Sequence, residues 1–456
     1  MVRQIFAALL PAQAPAAALL RRAVLPHADI VVLWESNTMS RSLASLLVLC
    51  GCIPVLAQGQ HPRRSRNLFA QAGVQKKQVE KKLDAAFQQL FHGDPNTEAI
   101  YFTAGRNANG DLAYVTDVAH HDVRTEGMSY GMMIAVQLGR KAEFDALWNW
   151  SKTYMYHARA DHPARGFFSW SMKTDGTPNS ETPAPDGEEY YVTALYFASG
   201  RWGNGAGIYN YRAEADRLLA DMLHREILRG EVLRGRTARG PYVCGNMFDQ
   251  KYKMVRFVPG LELNGFTDPS YHLPAFYELW AEWGPPADRA FWTEAAAASR
   301  DFFQKVANPV TGLAPDYANF DGTPYTSKFN PGAVNFRFDS WRTAMNWSVD
   351  WAWWAKDPRE RELSDRIQAF FASQGMETYG SIFTVAGAQL SATHAPGLIA
   401  TNAVASLAAT NPRAKEFVKA LWNCPIPSGK ERYYDGTLYL LSMLHVSGRF
   451  RPWPPK

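Results

Sequence analysis

Cysteine is scarce in this chain of 456 residues: Cys50, Cys52, Cys244 and Cys424 are the only four, and none stands in a Cys-x-x-Cys pair or a Cys/His cluster of zinc spacing. Buried thiols are the expected state of Cys244 and Cys424, with a single long-range disulfide as the alternative. Net charge is also low. A formal +5, with no dense Lys/Arg run interleaved with aromatics after residue 70, argues against a nucleic-acid partner. The common catalytic signatures are missing as well: there is no Gly-x-Ser-x-Gly elbow, no His-Glu-x-x-His, no Walker loop and no Gly-x-Gly-x-x-Gly after a strand. No metal or organic cofactor and no stable protein partner is implied.

The N-terminal sixty residues stand apart. Residues 39–57 combine Arg41 after Met39, the apolar run 43–49 and a small-residue exit at Ala57, the pattern of a secretory signal; the run is too short to span a bilayer. Residues 1–38 then read as an over-called start or dispensable extension. Leu49-Cys50-Gly51-Cys52 weakly resembles a bacterial lipoprotein box, so the expected location is secreted or periplasmic. Membrane attachment arises only if Cys52 carries lipid, and the cytoplasm applies if the signal is unused.

What the chain has in abundance is aromatic residues, 15 Trp, 20 Tyr and 25 Phe, enough to serve both a core and the stacking of pyranose rings. From about residue 67 the pattern is helical, with a two-stroke rhythm. A nearly all-apolar segment, EGMSYGMMIAVQLG (126–139), is followed by a charged amphipathic one, AEFDALWNWSKTYMY (142–156). The rhythm recurs with 186–199 before 212–228, 268–280 before 288–307, 340–355 before 357–373 and 396–410 before 413–422, and 434–446 closes the chain. A helix apolar all round must be surrounded by other helices, whereas an amphipathic one can face water. Six inner helices follow, and the amphipathic stretch 76–92 supplies the outer partner that the last one lacks. The expected fold is all-α, an (α/α)6 barrel of six helical hairpins with inner and outer rings, in one domain over residues 64–456.

Four of the inner helices begin at an acid: Glu126, Asp186, Asp268 and Asp339. A lone acid there is commonly an N-cap, because its carboxylate takes free backbone N–H groups and suits the helix dipole. Four gathered at one end of a barrel are a different matter, since crowded like charges are costly unless they do chemistry. Glycoside hydrolysis needs one carboxylic acid that keeps its proton and one carboxylate across the scissile bond. Neighbouring negative charge is expected to raise the pKa of Glu126, while hydrogen bonds and arginines keep another acid ionised. Arg124 and Arg342 stand close in sequence to Glu126 and Asp339 and either tune them or form surface ion pairs. His394 lies on a loop before an inner helix.

At these residues the sequence resembles glycoside hydrolase family 8, and within it the reducing-end xylose-releasing exo-oligoxylanases. The motifs are DVRTEGMSYGMMIAVQLGRKAEFDALWNW (122–150), GFFSWSMKTDGTPNS (166–180), PAPDGEEYY (183–191), DPSYHLPAFYELW (268–280), TGLAPDYANFDGTP (311–324), HAPGLIATNA (394–403) and RYYDGTLYL (432–440). The resemblance implies an inverting hydrolase with Glu126 as general acid, Asp339 as general base and Asp186 holding and distorting the sugar. Trp170 matches an aromatic platform. Arg124, Asp268, Tyr271, Arg342 and Tyr434 are the further expected substrate contacts. His394 matches a loop histidine that closes the leaving-group end of the cleft, which makes a xylo-oligosaccharide of three or more units the expected substrate. Ala395 stands where a member of the subgroup has Pro directly after the His; a mobile loop there would allow endo action. The alternatives are an endo-acting xylanase, cellulase, lichenase or chitosanase of the same family, and a non-catalytic secreted sugar-binding protein.

Overall fold

A computed structural model describes residues 66–232 and 240–456. The N-terminal expectations, residues 1–38, the signal pattern at 39–57 and lipidation of Cys52, lie outside the described residues.

Thirteen helices carry the fold among the described residues. A single turn, α1 (Leu68–Gln71), precedes α2 (Lys76–His92). Six inner segments then alternate with five outer ones as the sequence pattern predicts. The inner ring is α3 (Thr125–Leu138), α5 (Pro185–Trp202), α7 (Pro274–Trp283), α9 (Trp341–Trp354), α11 (Pro396–Ala405) and α13 (Arg432–Val446). Between them come α4 (Lys141–Trp150), α6 (Tyr211–His224), α8 (Arg289–Val306), α10 (Arg359–Ser373) and α12 (Ala414–Asn423), which with α2 form the outer ring.

Burial follows the pattern. On α2 the buried side chains are Val79, Leu83, Ala86, Phe87, Leu90 and Phe91, one stripe at helical spacing, whereas α3 is buried from Gly127 to Gln137 without a break. The inner ring closes through contacts of α3 with α5, α7 with α9, α9 with α11, α11 with α13, and α13 back to α3. Between α5 and α7 the join is polar and aromatic: the Tyr277 hydroxyl donates to Glu189 at 2.6 Å, the Trp280 indole donates to Thr193 at 3.1 Å, and Phe276 meets Tyr190 edge-on. The α2 helix packs on α13, completing the sixth hairpin.

The structure departs from the expected pattern in three places. The third inner segment does not start as an α-helix at residue 268: a 3-10 turn, Pro269–Tyr271, comes first and α7 begins at Pro274. Proline disfavours helical backbone in the residue before it, and Leu273 sits at φ −122°, ψ 62°, outside the helix. The amphipathic segment 142–156 passes from α4 into a π-helical turn, Ser151–Met155. Short strands are also more frequent than the helical reading implies. Strands β1 (Tyr101–Asn107) and β2 (Gly110–Val115) form an antiparallel hairpin, and β3 (Asp122–Arg124), β4 (Ser171–Lys173) and β5 (Pro178–Ser180) form a three-stranded sheet. That small sheet matters for function, because β3 runs straight into α3 and pairs Arg124 with Ser171 next to Trp170, while β5 leads on to Asp186. Cys244 and Cys424 are both buried free thiols.

Candidate active site

The side chain of Arg342, on the first turn of α9, is 2% exposed and forms ion pairs with three acids at once. Its Nη1 lies 3.0 Å from Oε2 of Glu126 and 3.5 Å from Oδ2 of Asp186, and its Nη2 lies 2.9 Å from Oδ1 of Asp339. A planar guanidinium with five donors suits this bridging role in a way that an ammonium does not. The surface ion pair considered for Arg342 is thereby ruled out. Arg124 behaves differently: its ion-pair partners are Asp117 at 3.0 Å and Asp122 at 3.1 Å, and its guanidinium lies over the rings of Trp170 and Tyr433.

Two glycines let the acids converge. A Cβ on Gly127 would stand 2.6 Å from the Tyr433 ring, and one on Gly187 would stand 2.3 Å from Cβ of Thr125. The Glu-Gly and Asp-Gly pairs that open α3 and α5 therefore bring the acids and their neighbours closer than any other residue pair would allow.

Glu126 is largely enclosed. Its Oε1 accepts a hydrogen bond from the Tyr433 hydroxyl at 2.9 Å and its Oε2 one from Arg342. Burial pushes its pKa up to about 7; the charges of Asp339 and Asp186 add to the rise, and Arg342 and Arg124 oppose it. The sequence reading assigned this rise to neighbouring negative charge, and burial proves the larger cause. The pKa of Asp186 is raised to about 6, again chiefly by burial. Asp339 is the open member: its side chain is 33% exposed, against 13% for Glu126 and 11% for Asp186.

The turn that presents Asp339 is strained. Phe338 takes φ +35°, a left-handed backbone rarely adopted by a bulky side chain, and its carbonyl accepts a 3.0 Å hydrogen bond from the Tyr434 hydroxyl. The same hydroxyl is 3.4 Å from Oδ1 of Asp339.

The remaining expected site residues fall around this centre. Trp170 is 37% exposed, and its carbonyl accepts from the Thr125 N–H at 3.0 Å, one residue before Glu126. Tyr271 is buried with its ring facing the Arg342 guanidinium. Asp268 is fully buried and caps the 3-10 turn by accepting from the Ser270 N–H at 2.8 Å. His394 is half-buried; its Nδ1 bonds the Tyr379 carbonyl at 2.8 Å, which requires the proton on Nδ1 because a carbonyl only accepts. Three participants were not singled out from sequence: Tyr433, Tyr130, whose hydroxyl bonds Arg342, and Asp316, which accepts from the Ser340 N–H at 3.2 Å. All three sit inside the family motifs, but nothing in a motif says which acid each of the adjacent Tyr433 and Tyr434 reaches.

Among the described residues, no group of three or more His, Cys, Asp or Glu side chains is placed to hold a metal ion. A guanidinium occupies the centre of the acid cluster, where a cation would otherwise sit.

Comparison with known proteins agrees with this geometry. The family model described as glycosyl hydrolases family 8 matches residues 107–238 and 254–448. The reducing-end xylose-releasing exo-oligoxylanase Rex8A of Paenibacillus barcinonensis is 44% identical over 387 residues, covering 84% of this chain and 96% of its own. A reducing-end xylose-releasing exo-oligoxylanase of Halalkalibacterium halodurans is 43% identical over 400 residues, covering 87% and 96%. Among solved structures, a catalytic mutant of a family 8 xylanase from Teredinibacter turnerae in complex with xylohexaose superposes with a TM-score of 0.83 at 51% identity, over 86% of this chain and 98% of that one.

Proposed function

The chain belongs to glycosyl hydrolases family 8, and from that membership and the geometry of its acids we propose that it hydrolyses xylo-oligosaccharides, releasing xylose from the reducing end with inversion at the anomeric carbon. The observation that carries this reading is the single guanidinium of Arg342 ion-paired with Glu126, Asp186 and Asp339 together. It gathers the acids while leaving them chemically distinct.

Glu126, with its pKa at about 7, keeps a large share of its proton near neutrality and donates it to the glycosidic oxygen as that bond breaks. Asp339, ion-paired and open to the cleft, takes a proton from water attacking the opposite face of the sugar. Both pair with one guanidinium, which brings the acid and the base to the same cleft; inversion calls for carboxyl groups about 6.5–9.5 Å apart, with the attacking water between them. Asp186 shares Nη1 of Arg342 with Glu126 and holds the sugar beside the cleavage point. Trp170 offers a flat apolar face to a neighbouring unit. His394, with Nδ1 committed to the Tyr379 carbonyl, turns an accepting Nε2 to a sugar hydroxyl and closes the leaving-group end. The signal pattern at 39–57 supports export to where such fragments arise.

Incubation of the protein with xylotriose, followed at once by NMR of the nascent anomers, tests the reading. Xylose and xylobiose are expected, with the new reducing end in the inverted configuration; a retained anomer, or no xylose, overturns it.

A second reading, endo-acting xylanase, has one observation in its favour: the xylohexaose-bound relative described as a xylanase is 51% identical, above the 43–44% of the two exo-acting relatives compared. Product size from polymeric xylan separates the two, since a ladder of oligomers means endo action and xylose alone means exo.

A further inference from the structure

Asp339 has a second acidic neighbourhood besides the one that Arg342 gathers. Thr267 and Ala318 exchange two backbone hydrogen bonds, 2.9 and 3.0 Å, which lays Asp268 beside the segment carrying Asp316. The Asp316 N–H donates to the Asn335 carbonyl at 3.0 Å, and its Oδ1 accepts from Ser340, the residue after Asp339. On the other flank, the Asn346 amide donates to the Ser270 carbonyl at 2.6 Å and ties the Asp268 turn to α9. Asp268 and Asp316 are thus buttresses of the turn that presents the base.

Asp268 is fully buried, and its two oxygens are unequal. Oδ1 accepts from the Ser270 N–H, with the Ser270 hydroxyl close by; Oδ2 has no hydrogen-bond partner among the described groups. The ionisable groups that bear on Asp268 are Asp339, Arg342, Asp316, Tyr317 and Tyr271. Arg342 is the one cation of that set, and it already serves Glu126, Asp186 and Asp339. An ionised Asp268 would be an anion sealed from bulk solvent, without a cation of its own, and next to another anion. Burial first, then the charge of Asp339, holds its pKa well above the ordinary carboxylate range. A protonated carboxyl group must offer its proton from one oxygen, and Oδ1 is already engaged as an acceptor.

We propose that Asp268 is a proton-bearing positioning residue: its proton sits on Oδ2 and is directed towards Asp339, keeping the general base ionised and aimed into the cleft. The inference rests on Asp339 being the base. It gives Asp268 a role different from a substrate contact, and it explains why an acid too buried to meet sugar lies at this position.

The test is the acidic limb of the pH profile of kcat/KM on xylotriose, which reports ionisation of the base in the free enzyme. Asp268→Leu removes a donor, so the limb should move up by about 1 pH unit as the Asp339 carboxylate loses stabilisation. Asp268→Asn, which keeps an N–H donor, should restore the limb to within a few tenths of a pH unit and recover most of the kcat lost in the leucine variant. If Asp268 is instead an anion, both variants remove a like charge and the limb moves down, which overturns the proposal. A fall in kcat with no movement of the limb in the leucine variant marks a structural role and also overturns it. Should the leucine variant not fold, infrared difference spectra of wild type against Asp268→Asn decide directly: a protonated-carboxyl band at pH 7 that vanishes in the variant is expected, and its absence refutes the proposal. The underlying assignment is checked separately by Asp339→Asn, which abolishes hydrolysis if Asp339 is the base, whatever Asp268 does.

Discussion

The hydroxyl of Tyr433 donates to Oε1 of Glu126 at 2.9 Å, joining the first turn of the last inner helix to the first turn of the first across 307 residues of chain. The bond orients the acid and favours its ionised form, because the carboxylate is the stronger acceptor. Tyr433→Phe should lower kcat about tenfold and move the basic limb of the pH profile upwards, since the acid loses a partner that stabilised its anion. Steady-state kinetics on xylotriose across pH measures both.

The basic limb itself follows from Glu126. Its folded-state pKa of about 7 means that the proton-donating fraction is high below pH 7 and falls about tenfold per unit above it. The kcat/KM should therefore decline above about pH 7. Glu126→Gln should reduce the rate on the order of 10²–10⁴-fold and abolish that limb in whatever activity remains.

Arg342 is ion-paired with three acids through a fork that lysine cannot reproduce. Arg342→Lys should cost at least about 10²-fold in kcat, because a misplaced acid or base in the reacting pair is expensive. Arg342→Ala leaves buried carboxylates without a counter-charge and should destabilise the fold by about 3–5 kcal/mol, read from denaturant unfolding.

Gly187 lies where α3 and α5 touch, with no room for a side chain beside Thr125. Gly187→Ala should lower stability by about 1–3 kcal/mol and reduce kcat, as the helix starts carrying Glu126 and Asp186 are forced apart. Thermal melting and kinetics on the same sample link the two effects.

His394 is pinned by the Tyr379 carbonyl and packs edge-on against the Tyr379 ring at 4.5 Å. Ala395, in place of Pro, sits at φ −76°, ψ 129°, within the range that proline imposes, and Pro396 restricts it further. The loop is therefore held without a second proline. Ala395→Pro should leave the product pattern unchanged, whereas His394→Ala should shift products from xylan towards longer oligomers, as resolved by chromatography.

Much of the fold could be read in advance because burial leaves a direct mark on sequence. A helix enclosed on every side, such as α3, has no position at which a charge is tolerated in its middle, and α2 shows its one apolar stripe. The breaks are less visible. The 3-10 turn at Pro269–Tyr271 and the strained Phe338 depend on what packs around them, and an isolated segment carries no record of its neighbours.

The sequence alone determined which residue types stand at the mouths of the inner helices, and hence that Glu126, Asp186, Asp268 and Asp339 would meet at one end of a barrel. Spacing alone did not distinguish their roles, which the sequence carried only through its family resemblance. Their different environments were made by tertiary structure. Arg342 is one arginine among many until the ring closes and places it between three acids, and Asp268 differs from Asp339 only in that one is sealed from water and the other is partly open. The protonation state of a carboxyl group depends on solvation and nearby charge, and both are properties of the folded environment, set by residues hundreds of positions away in the chain.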